Sequence, residues 1–219
     1  MPFVPAVSIK IFRQYHFGMQ WVLAVDTCGA EGGVAVAREG EVIARRSLPG
    51  RETQERLMMA VRECLAEAGI RATELGLLAV MTGPGSFTGV RIGVAAVKGL
   101  AEGLGVPVVG VSRLDLMASL AGSGAVAWLD AGRGDVYAGG GGLPEAMFSR
   151  AEAEALGGRV VVGEEVLRGA GEWVGLPDIT AVVRTAYETA AKGEFSDVAL
   201  LDANYLRIPD AEIALRARS

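Results

Sequence analysis

The run GLLAVMT at 76–82 has no polar alternation, and a strand of that kind must be covered on both faces, inside a sheet with helices above and below. It leads straight into the glycine-rich GPGSFTG (83–89). Apolar spacing then predicts a helix to about Leu104, a strand PVVGV (107–111) and another helix from Ser112. Ahead of the buried strand lie three strand-like segments, WVLAVD (21–26), GGVAVAR (32–38) and EVIARRSL (41–48). The last two are joined by Glu39-Gly40, a two-residue hairpin signal. Leu57, Val61, Cys64, Leu65 and Ala68 share one helical face, so a helix is expected from about Thr53, with Thr53 as N-cap, Glu55 in the first turn and Gly69 ending it. Hairpin-linked strands followed by alternating helix and strand describe an α/β protein with a mixed sheet flanked by helices.

The later chain repeats this order less regularly. AVAWLD (125–130) and DVYAGG (135–140) read as a second hairpin, GRVVVG (158–163) as a further strand and 180–192 as a helix. SLAGSG supplies a linker, placing the boundary near 112–122. The expected organisation is an N-terminal extension (1–18), a first half domain (19–115) and a second, smaller and more degenerate one (116–219) whose C-terminal segment is free to pack back on the first. The extension holds His16, shows no periodicity and lacks the apolar stretch of a signal peptide. Met19 abuts the first strand, so residues 1–18 are read as an upstream extension or a start assigned too early, and His16 as a tail residue.

Composition removes whole classes of chemistry. His16 is the single histidine among 219 residues, so a Ser-His-Asp triad, a Cys-His dyad or a two-histidine metal site has no material unless it uses that residue. Cys28 and Cys64 cannot make a disulfide scaffold or a cysteine-based zinc site, and are read as small buried residues. The net charge of −5 argues against the chain gripping nucleic acid alone, because phosphate contacts need a basic face. No window of 18 uninterrupted apolar residues exists, which leaves no membrane span to expect.

Two turns and one helix remain as candidates. Asp26-Thr27-Cys28-Gly29 places a carboxylate, a hydroxyl and loop amides at a strand end, as a metal-bound phosphate would need; a plain hairpin turn with an Asx bond reads equally well. Asp130-Ala131-Gly132 with Asp135 mirrors it in the second half. Gly83, Gly85, Ser86, Thr88 and Gly89 form a glycine-rich loop at a helix N-terminus, either an anion cradle or a tight turn with a hydroxyl cap. It lacks the Gly-Lys-Ser/Thr of a Walker A loop. In the helix that follows, Gly89, Gly93, Ala96, Gly99 and Gly103 form a small-residue stripe, although each interior glycine costs about 0.8–1.0 kcal/mol against alanine. Something approaches that face closely, either the domain's own sheet or a helix of another subunit. Met58-Met59 read as core or interface padding, and Glu164-Glu165 as the opening of a solvated helical turn.

The run 75–118, with its core GPGSFTGVRIGVAAVKGLA, is very similar to the bacterial TsaB family; VLAVDT (22–27), LDAGRGDVYAG (129–139) and Asn204-Tyr205-Leu206-Arg207 add to the likeness, while 141–195 is not diagnostic. The element order resembles two ribonuclease-H-like half domains, the architecture of actin, Hsp70 and sugar kinases. The family is the dimerisation subunit of the complex that installs N6-threonylcarbamoyladenosine at position 37 of tRNAs. It often carries a histidine-serine pair where Thr53 and Gln54 stand here, so no role transfers to those positions. Its catalytic relative, TsaD, has a metal-binding His-x-x-x-His where this chain has Arg113 and Met117, and a Gly-Gly segment for adenosine where Gly157-Gly158 instead precede a strand. Arginine is a permanent cation and thioether a poor ligand for hard metals.

The resemblance therefore implies a cytoplasmic pseudo-enzyme with no catalytic residue, metal or cofactor beyond vestigial nucleotide binding at Asp26, Thr27 and the 83–89 loop. The implied partners are a TsaD-like transferase subunit, a second copy when the chain is alone, a TsaE-like ATPase subunit, and tRNA only through the complex. The expected interface joins Leu57, Met58 and Val61 of the first helix to Gly89, Ile92, Gly93, Ala96, Val97 and Leu100 of the glycine-striped one. The alternatives are an active ATP-dependent kinase or ATPase of the actin-like fold, for which a complete adenosine loop is missing, and a metallopeptidase, which one histidine does not support.

Overall fold

The computed structural model describes residues 21–207; the 1–18 extension with His16 lies outside them. Strands β1 (Trp21–Asp26), β2 (Glu31–Arg38) and β3 (Glu41–Pro49) form an antiparallel meander, and β4 (Leu75–Gly83) and β5 (Val108–Ser112) add in parallel to give the order β3-β2-β1-β4-β5. The Glu39-Gly40 turn takes positive φ at both residues, as a two-residue hairpin requires. Helices α1 (Thr53–Glu67) and α2 (Phe87–Leu104) cover one face. The glycine cap Gly105 ends α2 at φ 67°.

Thr53 is not the N-cap of α1. Glu52 stands there, at the end of a short 3-10 turn, and Thr53 is buried in the first helical position with its hydroxyl donating back to Gly50 O at 3.2 Å. The turn delivers the chain already coiled, so no side-chain cap forms.

The second sheet contains β6 (Ala125–Gly132), β7 (Asp135–Gly140), β8 (Leu143–Ser149), β9 (Arg159–Val162) and β10 (Glu172–Trp173). Its order, β8-β7-β6-β9-β10, repeats the first sheet strand for strand, with the same antiparallel and parallel neighbours. The degeneracy lies in the connectors. The counterpart of α1 is the seven-residue α4 (Arg150–Leu156), and a 3-10 turn, Glu165–Leu167, replaces α2. Mixed five-stranded sheets flanked by helices thus make a two-domain α/β fold.

Two helices tie the halves together. Helix α3 (Arg113–Ala121) sends Leu116 into the first core and Leu114, Met117 and Ala118 into the second. Helix α5 (Ile179–Ala191) follows the second sheet in sequence but buries Val182, Val183 and Ala186 completely in the first core. It lies on the sheet face away from α1: a Cβ on Gly33 would point at Ile179, whereas Cys64 of α1 reaches the neighbouring Val34 carbonyl from the other side. Asp178 caps α5 by accepting the Ala181 amide at 3.0 Å.

Candidate functional site

The two turns singled out by sequence meet, and they pack on each other rather than around an open space. Thr27, buried at the end of β1, donates its hydroxyl to Gly89 O at 2.7 Å, and Ser86 N donates to Cys28 O at 2.7 Å. A Cβ on Gly85 would stand 2.3 Å from Cys28 O, and one on Gly89 only 2.1 Å from Thr27 O, so only glycine permits this approach. Three amides of the two turns are engaged within the chain: Cys28 N by Asp26 Oδ1 at 2.8 Å, Gly89 N by the Ser86 hydroxyl, which caps α2, and Ser86 N as above. Gly83 opens the loop at φ 97°, and Thr88 faces outward.

Asp26 is 5% exposed, and burial raises its carboxyl above the usual carboxylate range against the opposing pulls of the Cys28 amide and the Arg113 guanidinium. Arg113 is 4% exposed. Its guanidinium presses on the turn, with Nη2 3.0 Å from where a Cβ on Gly29 would be, and Nη1 lies 3.9 Å from Glu164 Oε1. Its Nε has no hydrogen-bond partner among the described residues. Glu164 is therefore more than the start of a solvated turn: it lies opposite Arg113 and also accepts the Asp130 amide. A permanent cation stands beside the one buried carboxylate of the turn. Among the described residues, no three His, Cys, Asp or Glu side chains stand together as a metal would need. In the second half Asp130 repeats the Asx bond, Oδ1 accepting from Gly132 N at 2.9 Å, but that turn is exposed. Cys28 and Cys64 are buried free thiols; burial, and for Cys28 the Asp26 charge as well, holds both above their ordinary range.

The expected interface residues divide between the two faces of α2 and α1. Gly89, Gly93 and Val97 are buried against the chain's own interior, as are Leu57 and Val61, so these five do not form an outward surface. The cause is explicit at Gly93, where a Cβ would meet Thr27 Oγ1 at 2.3 Å. The outward remainder is Met58 with its neighbour Met59 on α1, and the half-buried Ile92, Ala96 and Leu100 with Gly99 and Gly103 on α2. Nothing lies within 4 Å of a Cβ built on either of those glycines. Met58 and Met59 are 46% and 54% exposed, so they are not core.

The sequence reading passed over the surroundings of the Asn204 motif. A cavity of about 310 Å³ lies beside the 83–89 loop, walled by Phe87, Val90, Tyr137, Tyr205, Leu206 and Arg207. The Arg91 guanidinium stacks on Phe87 at 3.7 Å and hydrogen-bonds the Tyr205 hydroxyl.

The chain is 36% identical over 159 residues to the tRNA threonylcarbamoyladenosine biosynthesis protein TsaB of Escherichia coli, covering 70% of this chain and 69% of that one. This chain belongs to the TsaB family. The family model described as TsaD, tRNA N6-adenosine threonylcarbamoyltransferase, matches residues 47–167, and a protein of that name from Paracoccus denitrificans is 46% identical over 67 residues, 31% of this chain and 19% of its own. A solved Pseudomonas aeruginosa structure, described as having similarity to peptidase YeaZ, superposes with a TM-score of 0.73 at 26% identity, covering 86% of this chain and all of the other. The residues matched by the TsaD model include the 83–89 loop and the helix that carries both an inward and an outward row of small residues.

Proposed function

We propose that this chain is a non-catalytic partner subunit in the biosynthesis of tRNA N6-threonylcarbamoyladenosine, acting in the cytoplasm by seating a TsaD-like transferase subunit. The observation that carries this reading is Arg113, a buried permanent cation beside Asp26 at the position where the resemblance places a metal-binding histidine of the catalytic relative. Internal bonds to the amides of Cys28, Ser86 and Gly89 support this reading over an ATP-dependent kinase or ATPase, which would present those donors to a phosphate. The relatives' names support the process, and the match to a TsaD model supports a partner built on the same fold.

The partner's place is the face made by Met58 and Met59 of α1 with Ala96, Gly99, Leu100 and Gly103 of α2. Small residues there admit close approach of a second helix pair, and the exposed methionines adapt to it. A second copy of this chain occupies the face when the transferase subunit is absent. A TsaE-like ATPase joins the assembled complex, and tRNA is held by the complex, in keeping with this chain's net charge of −5.

The test is co-purification with the transferase subunit and a threonylcarbamoylation assay with and without this chain. Modification should require both proteins, and Ala96→Trp should abolish association while the circular dichroism spectrum stays that of the parent. Turnover of ATP by the isolated chain that vanishes in Asp26→Ala would overturn the reading. Normal assembly by a folded Ala96→Trp protein would refute the surface.

A further inference from the structure

Besides helices α3 and α5, two separated sets of polar contacts tie the half domains of this chain. The first tie is electrostatic and lies at the floor between the halves: Arg113 of α3 stands between Asp26 at the end of β1 and Glu164 after β9, and Glu164 also accepts the backbone amide of Asp130. The second tie is the segment 201–207, which has no regular secondary structure yet is bonded along its length to both halves.

On the first half, Lys98 of α2 donates to the carbonyls of Ala199 and Leu201 at 3.1 and 2.8 Å, and Asn204 N donates to Thr82 O at 2.8 Å. Tyr205 is engaged by Arg91. On the second half, the Asn204 side-chain amide donates to the Glu145 carboxylate on β8, and Arg207 pairs with Asp135 at 3.1 Å and donates to Gly132 O at 3.4 Å. Glu145 accepts a further bond from Ser112, the cap of α3, so it joins β8, the end of β5 and the segment at one half-buried node. Leu206 packs against the cluster of Leu114, Met117 and Leu129. A chain segment held by alternating bonds to two bodies constrains their relative orientation.

We infer that residues 201–207 are a strap which, with the Arg113 contact, fixes the two half domains in one relative orientation. A fold of paired half domains flanking a cleft ordinarily permits hinge closure about a ligand. Here a ligand-driven closing motion is replaced by a permanent brace, and a surface spanning α1 and α2 keeps one shape whether or not anything is bound. The inference does not depend on the partner role proposed above, since it concerns the isolated chain.

The experiment places spin labels on Glu55→Cys of α1 and Ala155→Cys of α4, both exposed, in the full chain; the native thiols are buried and do not take label. Pulsed dipolar spectroscopy on the labelled parent should give one narrow distance peak, unchanged by magnesium and ATP. Asn204→Ala combined with Arg207→Ala should broaden it at least twofold or add a second, displaced peak. A parent that is itself bimodal, or a folded double variant with the parent's distribution, overturns the strap. Should the double variant fail to fold, Asp135→Asn removes the charge opposite Arg207 alone, and exchange of the Asn204 amide is read instead. That amide should lose protection at least tenfold; unchanged protection overturns the proposal equally.

Discussion

Four glycines in α2 give the fold a graded test, because the same substitution meets a different obstacle at each. At Gly93 a new Cβ would lie 2.3 Å from Thr27 Oγ1, far inside contact distance. Thr27 is 1% exposed, so its hydroxyl cannot swing into solvent, and relieving the overlap means giving up its 2.7 Å bond to Gly89 O. Stranding a buried donor and acceptor costs about 1–3 kcal/mol. Overpacking adds about 1–3 kcal/mol, and the better helix propensity of alanine returns about 1 kcal/mol. Gly93→Ala should therefore destabilise by about 3 kcal/mol, or roughly 6–12 °C in Tm for a chain of this size. Gly89→Ala should be worse, since its obstacle at 2.1 Å is the backbone carbonyl of Thr27. Gly99→Ala and Gly103→Ala meet nothing within 4 Å and should each stabilise the isolated chain by up to about 1 kcal/mol. Urea unfolding of the four variants measures the series. In a Thr27→Ala background the cost of Gly93→Ala should fall by about 2 kcal/mol, as removal of the clashing atom requires. A Gly93→Ala protein as stable as its parent, or a Gly99→Ala protein that unfolds, would refute the assignment of inner and outer faces.

Three further outcomes follow from burial. The carboxyl of Asp26 is raised in the folded state, so its stabilising contribution is present below the unfolded value and is lost as pH rises through the folded one. Asp26→Asn, which keeps an acceptor for Cys28 N, should therefore be more stable than the parent at pH 7, with the advantage fading towards pH 4 in thermal melts; lower stability at pH 7 would mean that the Arg113 attraction outweighs burial. Cys28 and Cys64, the latter held at about 11, should resist iodoacetamide in the native protein at pH 8 and react on denaturation, as mass spectrometry would show. Asp178→Ala removes the cap of α5 and should cost about 1 kcal/mol by urea titration.

The first sheet was readable because each of its strands announces itself: unbroken apolar runs at β1 and β4, and a Glu-Gly turn between β2 and β3. Helix α2 was readable as a helix but not in its orientation. Gly89, Gly93, Ala96, Gly99 and Gly103 look alike in spacing, and only the position of Thr27, sixty-odd residues earlier, decides which of them turn inward. Strand β10 and helix α4 escaped because they are short, and β8 because it is nowhere fully buried, so its residues carry no strong period. In the candidate site, Arg113 could be singled out only through its position in a family pattern. Glu145 gave no local signal, and Glu164 read only as the start of a solvated turn, since Asn204 and Arg113 come from 59 and 51 residues away in the chain.

Helix α5 has a consequence for how the molecule is made. The first sheet is finished by residues made only after the whole second sheet: Val182, Val183 and Ala186 fill a core whose other wall, β1, begins at Trp21. Everything from Ala125 to Trp173 is, in effect, spliced into the middle of that core. Contacts of such sequence separation are slow to form, and the nascent chain must hold an apolar sheet face uncovered while the second sheet is synthesised. The inserted sheet, whose strands are all local to one stretch of chain, is free to assemble first. A polypeptide stopped after Trp173 would keep both sheets in sequence and still leave the first one open, a ready substrate for chaperones or for aggregation.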